Sequence, residues 1–379
     1  MPFGLYVHYP FCRNHCAYCD FYKELYDPDL EKRFYQALTR ETELAAEDHP
    51  DGDRTISTIF IGGGTPSLTA TELLSRWLDR LKSLFEVPPG IEFSIECNPE
   101  SVNLENLEIF RDLGINRPVF GIQSFNRDLL KVLDRRHQPH HSYRAVYYAN
   151  ALGYVNFGCD VIFGFPGQSS RMLAADLGQV IELSPPHISF YQLTVEPGTI
   201  LHRQVTSGVL KMPSSDMMHT LYKLGCDQMA EADYERYEVS SFAREGRQCI
   251  HNLAYWEGAD YLGLGPSAHS FMGSRRSANV TGIFDYISAL ETGRRPRTTD
   301  ESGAKERAVE AIMLGLRTSR GISRERFAER FDSRLEEYLD PKQYHILIES
   351  GHLIPEKGRL RLSDEGICLA DEITARLLK

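Results

Sequence analysis

Leu5-Tyr6-Val7-His8-Tyr9-Pro10-Phe11-Cys12-Arg13-Asn14-His15-Cys16-Ala17-Tyr18-Cys19 sets a short apolar strand directly against a loop with three cysteines in C-x3-C-x2-C spacing. Three thiolates this close together can each take one iron of a [4Fe–4S] cube, whose usual complement of protein ligands is four cysteines. With no fourth cysteine nearby, one iron would stay open to an outside ligand. A structural zinc site would instead need a closed fourth ligand, for which His15 is a nearby candidate. Cys12, Cys16 and Cys19 are therefore the candidate metal ligands.

Working outward from that loop, short apolar runs alternate with amphipathic helical patterns as far as about residue 200. The strands are expected at Leu5–Tyr9, Ser57–Gly62, Glu92–Glu96, Pro118–Ile122, Cys159–Phe163 and His187–Leu193. Helices are expected at Leu30–Glu47, Glu72–Phe85, Leu104–Leu113, Tyr143–Leu152 and Met172–Leu183, the second opening on Thr69-Ala70-Thr71-Glu72 as a capping box. Such alternation predicts an α/β fold with a parallel sheet. A doubly wound sheet and a partial barrel both satisfy it. Polar or glycine-rich segments follow the strands, Gly62-Gly63-Gly64-Thr65-Pro66, Glu96-Cys97-Asn98-Pro99, Gln123-Ser124-Phe125 and Gly164-Phe165-Pro166-Gly167. In either architecture ligands bind at that edge.

A helix is expected over Ser214–Ala232, then a loop-rich segment over about 236–285. Residues 305–316 and 323–338 read as helices, and Gly351–Ser363 as a hairpin turning at Glu356-Lys357-Gly358. Helices followed by a two-stranded wing predict a small winged-helix-like α+β domain. The division expected is 1–235, 236–295 and 296–379. The 14 Lys/Arg of residues 301–379 face 15 Asp/Glu, and the whole 379-residue chain carries a formal charge of −11. That balance argues against nucleic acid as a partner. The first residues lack the basic and apolar regions of a signal peptide, and no run approaches the ~20 apolar residues that span a bilayer. A cytoplasmic location is expected.

The cysteine loop after the first strand resembles the radical S-adenosylmethionine (SAM) superfamily. That resemblance implies a partial (β/α)6 barrel, with SAM chelating the open iron and being cleaved to a 5′-deoxyadenosyl radical on reduction. Tyr6–Cys12, Ile61–Ser67, Gly121–Phe125, Arg135-Arg136-His137 and Tyr191–Thr199 are similar to the coproporphyrinogen dehydrogenase and heme chaperone branch, over nearly the whole chain. Carried over position by position, the resemblance implies SAM contacts at Tyr6, Tyr18, Gly63, Gly64, Thr65, Glu96, Gln123, Arg135, Asp160 and Thr194. Each has a physical reason where one can be given. Tyr6 would lie near the methionine carboxylate and the backbone at Tyr18 near the adenine. Gly63, Gly64 and Thr65 bring main chain close to the ligand's amino group. Glu96 and Asp160 accept hydrogen bonds from hydroxyls or an ammonium, Gln123 can donate or accept, and Arg135 offers charge-assisted bonds to a carboxylate. Thr194 rests on position alone.

Two features separate the branches. The dehydrogenase resembled here has a further cysteine two residues after the third, where this sequence has Phe21, and an extension before the first strand that has no counterpart ahead of Tyr6. Both match the HemW-type heme chaperones. The resemblance then implies a [4Fe–4S] cluster, SAM and heme as cofactors, with apo-hemoproteins such as respiratory cytochromes as recipients. It leaves room for a homodimer and for transient docking on a membrane-bound partner. His251-Asn252-Leu253-Ala254-Tyr255-Trp256 belongs to the same resemblance. Imidazole is a common axial heme ligand, which makes His251 the candidate, while a core histidine beside a packed Tyr–Trp pair fits the same residues. The alternatives are an oxygen-independent coproporphyrinogen III dehydrogenase, which would decarboxylate two propionates, and a radical SAM enzyme that modifies heme.

Overall fold

The computed structural model describes residues 2–48, 54–300 and 302–379. Its centre is six parallel strands: β1 (Phe3–Tyr9), β2 (Ile56–Gly63), β3 (Glu92–Cys97), β4 (Arg117–Gln123), β5 (Gly158–Phe163) and β6 (His187–Gln192). They lie side by side in chain order. A doubly wound sheet would reverse that order at a switch point. Here the order never reverses, so each right-handed crossover lays its helix on the same face and the sheet curls into a partial barrel. Strand order settles what periodicity left open.

The two-residue alternation of each strand sorts its side chains. In β3, Phe93, Ile95 and Cys97 join the apolar core under the helices, with Leu5, Val7, Ile59, Ile61, Val161 and Phe190 from neighbouring strands. Glu92, Ser94 and Glu96 take the other face, toward the barrel axis. That inner face is polar and yet buried: Thr58, Ser94, Arg117, His187 and Ser189 are all nearly inaccessible. Buried polar groups need partners. Several find them across the barrel, and the rest face the cavity described below.

Three local expectations are corrected. The stretch read as loop-rich carries regular structure: β7 (Glu235–Glu238), β8 (Ser241–Ala243), the helix Ile250–Trp256, β9 (Tyr261–Leu264), β10 (His269–Met272) and β11 (Arg275–Asn279). With β12 (Arg297–Asp300) these extend the sheet to twelve strands, β9 pairing parallel to β1 and β8 antiparallel to β6. Strands of three to five residues are too short for alternation to stand out. The capping box at Thr69–Glu72 does not form. Ala70 caps the helix Thr71–Leu84 without a side-chain bond, because the Thr69 hydroxyl is engaged by Tyr35 at 2.6 Å. The single helix expected over 323–338 is split. A helix Arg324–Phe331 ends at Asp332 in the left-handed region (φ 48°), and a 3-10 turn follows at Leu335–Tyr338.

The C-terminal unit has its own core, with Ile312, Leu316, Phe327, Leu353, Leu360 and Leu377 at its centre. The expected hairpin is present as Leu353–Glu356 and Arg359–Leu362, with Ile322–Ser323 as a third strand. Helices plus this wing give the winged-helix-like arrangement. The unit is attached through backbone bonds Val239 N to Arg317 O (2.9 Å) and Ser319 N to Tyr237 O (3.0 Å).

Candidate cofactor site

The C-terminal ends of β2 to β6 and the cysteine loop enclose a cavity of about 550 Å³. That is within the usual size for a site that takes a small molecule. Its lining includes Cys12, Cys16, Cys19, Tyr18, Gly63, Gly64, Thr65, Glu96, Gln123, Arg135, Asp160 and Thr194. Of the residues named from the sequence for cluster and SAM, Tyr6 alone is absent from this wall. It lies one layer deeper, its hydroxyl 3.1 Å from His8 Nδ1 and its ring stacked near Phe60.

Close backbone packing explains the glycines. Gly63 has φ +110°, and a Cβ there would come within 2.7 Å of the His8 ring. A Cβ on Gly64 would meet the Phe11 carbonyl at 2.6 Å, because Gly64 N and Thr65 N donate to the carbonyls of Tyr9 and Phe11. The glycine loop is thus stitched to the strand end that launches the cysteines. Gln123 closes β4 with φ +65°, and the missing Cβ of Gly121 leaves room for its amide.

One chain of hydrogen bonds crosses the cavity floor. The Thr65 hydroxyl donates to Cys12 Sγ (3.4 Å) and accepts from Asn98 Nδ2 (3.4 Å). Asn98 Oδ1 accepts from Arg135 Nη1 (2.7 Å), and Arg135 Nη2 donates to the Tyr18 hydroxyl (3.0 Å). On the outer side, Lys23 Nζ donates to the carbonyls of Cys19 (2.7 Å) and Phe21 (3.0 Å). Asn98 and Lys23 were not selected from the sequence. Asn98 had a signal, since it stands two residues past Glu96 at the same strand end.

Electrostatics single out the carboxyls. Burial, reinforced by the nearby Asp160 charge, pushes Glu96 up to about 8, although the Gly63 amide donates to it at 3.0 Å. Burial likewise raises Asp160 to about 6, and its Oδ1 has no hydrogen-bond partner. Arg135 Nε is also buried without one. Burial pushes the Cys12 thiol up to about 11, with the Thr65 bond opposing. One unpartnered acceptor, Asp160 Oδ1, and one unpartnered donor, Arg135 Nε, in one cavity suit a ligand bearing hydroxyl or ammonium and carboxylate groups. The three cysteines line that cavity together, yet among the described residues no three His, Cys, Asp or Glu side chains converge to hold a single ion. Three thiols on one cavity wall suit a cluster, in which each thiolate takes a different iron. The residues present fit the cluster and SAM.

His251 is not brought to the mouth. It lies at the opposite end of the barrel, 1% exposed, with Nδ1 2.8 Å from Thr58 Oγ1 and Nε2 2.8 Å from the Tyr255 hydroxyl. Its ring stacks on Phe60. Glu92, the first residue of β3, accepts from the amides of Ile250 and His251, each at 2.9 Å, and fastens the start of this helix under the barrel. Both imidazole nitrogens are engaged, which is the arrangement of a core histidine.

Comparison with known proteins agrees with this geometry. The radical SAM superfamily model matches residues 6–178, and the HemN C-terminal domain model matches residues 304–369. The heme chaperone HemW of Bacillus subtilis (strain 168) is 33% identical, over 98% of both chains. That of Mycobacterium tuberculosis (strain ATCC 25618 / H37Rv) is 35% identical over 100% of this chain and 95% of its own. The mitochondrial radical S-adenosyl methionine domain-containing protein 1 of Danio rerio is 31% identical over 99% and 86%. Among solved structures, the coproporphyrinogen III oxidase HemN of Escherichia coli superposes with a TM-score of 0.86 over 99% of this chain and 89% of its own, at 23% identity. That likeness shows a shared fold. With its cysteine loop at the mouth of a partial barrel and full-length identity to these relatives, the chain belongs to the HemW heme chaperone family of radical SAM proteins.

Proposed function

We propose that this protein is a heme chaperone, which holds heme and delivers it to apo-hemoproteins. The observation that carries the reading is identity of 31–35% with several chains named heme chaperones, each over at least 95% of both chains. Phe21 supports it: 63% exposed at the cavity rim, it stands where the dehydrogenase resembled by the sequence has a further cysteine.

In this reading Cys12, Cys16 and Cys19 hold a [4Fe–4S] cluster, and the remaining cavity wall holds SAM. Glu96 and Asp160 accept from the ligand's ammonium and ribose hydroxyls, and Arg135 Nε meets its carboxylate. Gln123 and Thr194 contact its periphery, and Tyr6 supports the floor through His8. When bound and reduced, such a cluster supplies the electron that cleaves SAM. The recipients include respiratory cytochromes, reached from the cytoplasm by transient docking on a membrane-bound partner, and the chaperone can form a homodimer. No helix among the described residues is long and apolar enough to cross a membrane.

The test is anaerobic incubation of cluster-reconstituted protein with SAM, reductant and coproporphyrinogen III, beside an authentic dehydrogenase, followed by transfer of bound heme to an apocytochrome. Heme transfer with no divinyl product is expected. Appearance of divinyl product would make the protein an oxygen-independent coproporphyrinogen III dehydrogenase. Consumption of heme under reduction would make it a heme-modifying enzyme.

A further inference from the structure

A groove at the far end of the barrel is not used by any of the cavity residues above. It runs between the helix Ile250–Trp256 and the C-terminal unit and encloses about 210 Å³. Five arginines line it against two glutamates, in a chain whose formal charge is −11. A cationic groove on an acidic protein attracts anions locally, against the sign of the whole molecule. Arg330 is committed, donating to the carbonyls of Glu257 and Gly258 at the helix end. Others have donors to spare. Arg320 and Arg326 are exposed and have no acidic partner among the described residues. Arg359 Nη1 is buried without a hydrogen-bond partner, as is Arg236 Nε, although Arg236 Nη2 is paired with Asp364 at 2.6 Å.

Between these donors the wall is mixed: Leu253, Phe327 and the half-buried Trp256 and Phe331 alternate with Gln248, Thr318, Ser319 and Ser323. Among the described residues no histidine, cysteine or methionine lines it. Its Tyr237 hydroxyl is already bonded to His187 Nε2 (2.8 Å) and to the Cys249 amide (3.2 Å). The groove therefore offers guanidinium donors and aromatic surface, and no imidazole, thiol or thioether for a heme iron; its carboxylates are Glu235 and Glu257.

We propose that this groove takes the carboxylate edge of a flat, apolar dianion, the propionate edge of a porphyrin, and holds it without bonding the central metal. The proposal rests on the heme-chaperone reading and adds where the cargo docks. Paired guanidinium–carboxylate bonds supply affinity and orientation, and Trp256 offers a face on which the macrocycle can stack. The groove is too small to enclose a whole macrocycle, which leaves the opposite edge and the metal open to a recipient. Release then breaks hydrogen bonds and ion pairs, and no coordinate bond. Strands of six to eight residues, at about 3.3 Å per residue, put the groove roughly 20 Å from the cysteine loop. Cargo held there lies outside the reach of radical chemistry at the mouth.

The chain has two tryptophans, Trp77 deep in the core and Trp256 in the groove, so quenching of the indole emission reports on occupancy. The full-length protein is titrated with heme, metal-free protoporphyrin IX and protoporphyrin IX dimethyl ester. Metal-free porphyrin is expected to bind within about threefold of heme, since no metal bond is involved, and the ester roughly tenfold or more weakly, having lost its charge-assisted bonds. The double variant Arg320→Glu, Arg326→Glu alters exposed side chains only. It should weaken heme and metal-free porphyrin by a similar factor, with the circular dichroism and SAM affinity of the parent. Trp256→Phe should remove most of the quenching. Unchanged porphyrin affinity in the arginine variant, or binding of heme but not of metal-free porphyrin, would overturn the groove assignment while leaving the chaperone reading in place. No heme binding by the parent protein would overturn both.

Discussion

Asn98 Oδ1 lies 2.7 Å from Arg135 Nη1, and that single contact fixes the polarity of every bond between the guanidinium and Cys12. A guanidinium only donates, so the amide oxygen must face Arg135 and the amide nitrogen must face Thr65. With Asn98 Nδ2 donating to it, the Thr65 hydroxyl is left to point its own hydrogen at Cys12 Sγ. Hydrogen bonds to cluster sulfurs are one means by which a protein sets the reduction potential. Asn98→Asp keeps the size and the acceptor for Arg135 but removes the donor, so the Thr65 hydroxyl turns to the new carboxylate. The expected result is a cluster at normal iron content whose midpoint potential falls by on the order of 50 mV, read by a reductive titration followed by EPR. An unshifted potential would remove Thr65 and Asn98 from the control of the cluster.

Glu96 and Asp160 make the ligand-free protein sensitive to pH. Burial first, and mutual repulsion second for Glu96, raise their folded-state values to about 8 and about 6. The unfolded chain has ordinary carboxyls, so between roughly pH 4 and 8 the folded state binds more protons and its stability falls as pH rises. The stabilising contribution is fully present below the unfolded values and is lost once pH passes the folded ones. Glu96→Gln should flatten the slope of unfolding free energy against pH across that window, a difference on the order of 2–4 kcal/mol at its upper end. Urea titrations at pH 5, 6.5 and 8 measure it. The same variant should bind SAM more weakly by calorimetry, because the carboxylate acceptor is gone.

What could be read from the sequence followed from how local the determinants are. The six core strands are set by two-residue alternation and by glycine or polar residues at their ends, so all six were found to within two residues. Cys12, Cys16 and Cys19 share one loop, and Gly63, Glu96 and Gln123 each sit at or near the C-terminal end of a strand, so one topological rule brings them together, whereas Asp160 enters the cavity from within β5. The edge strands were hidden because pairing with a neighbour, β9 on β1, β8 on β6 and the others outward from these, rather than their own three to five residues, makes them strands. Asn98 was missed for a related reason: its role depends on Arg135 and Thr65, which lie 37 and 33 residues away. His251 shows the opposite limit. Its motif drew attention to it, while its surroundings, Thr58 and Glu92, come from strands more than 150 residues earlier.

Those surroundings predict a structural role for His251. Its imidazole joins the helix Ile250–Trp256 to β2 through Thr58 and fills space against Phe60 and Gly4. His251→Ala removes two side-chain bonds and leaves a cavity, at a cost of about 2–4 kcal/mol. Denaturant unfolding should record that loss. Heme affinity measured well below the unfolding transition should stay within about twofold of the parent, with the same absorption spectrum. A shifted Soret band with intact stability would restore the imidazole as an axial ligand.

Gln123 separates backbone strain from ligand binding. It closes β4 with φ +65°, a left-handed conformation that costs a residue with a Cβ about 1–2 kcal/mol, and its side chain is buried against the cavity proposed to hold SAM. Ala and Gly both delete that side chain, so both should weaken SAM binding to a similar extent. They differ only in the backbone. Glycine adopts positive φ freely while alanine keeps the penalty, so Gln123→Gly should be more stable than Gln123→Ala by about 1 kcal/mol. In an ordinary strand glycine is the less stable of the two, which makes the inverted order diagnostic. Unfolding free energies of the two variants, beside their SAM dissociation constants, decide the matter. Alanine as stable as glycine would mean that the turn at Gln123 stores no strain, and unequal SAM affinities would mean that the backbone there contacts the ligand directly.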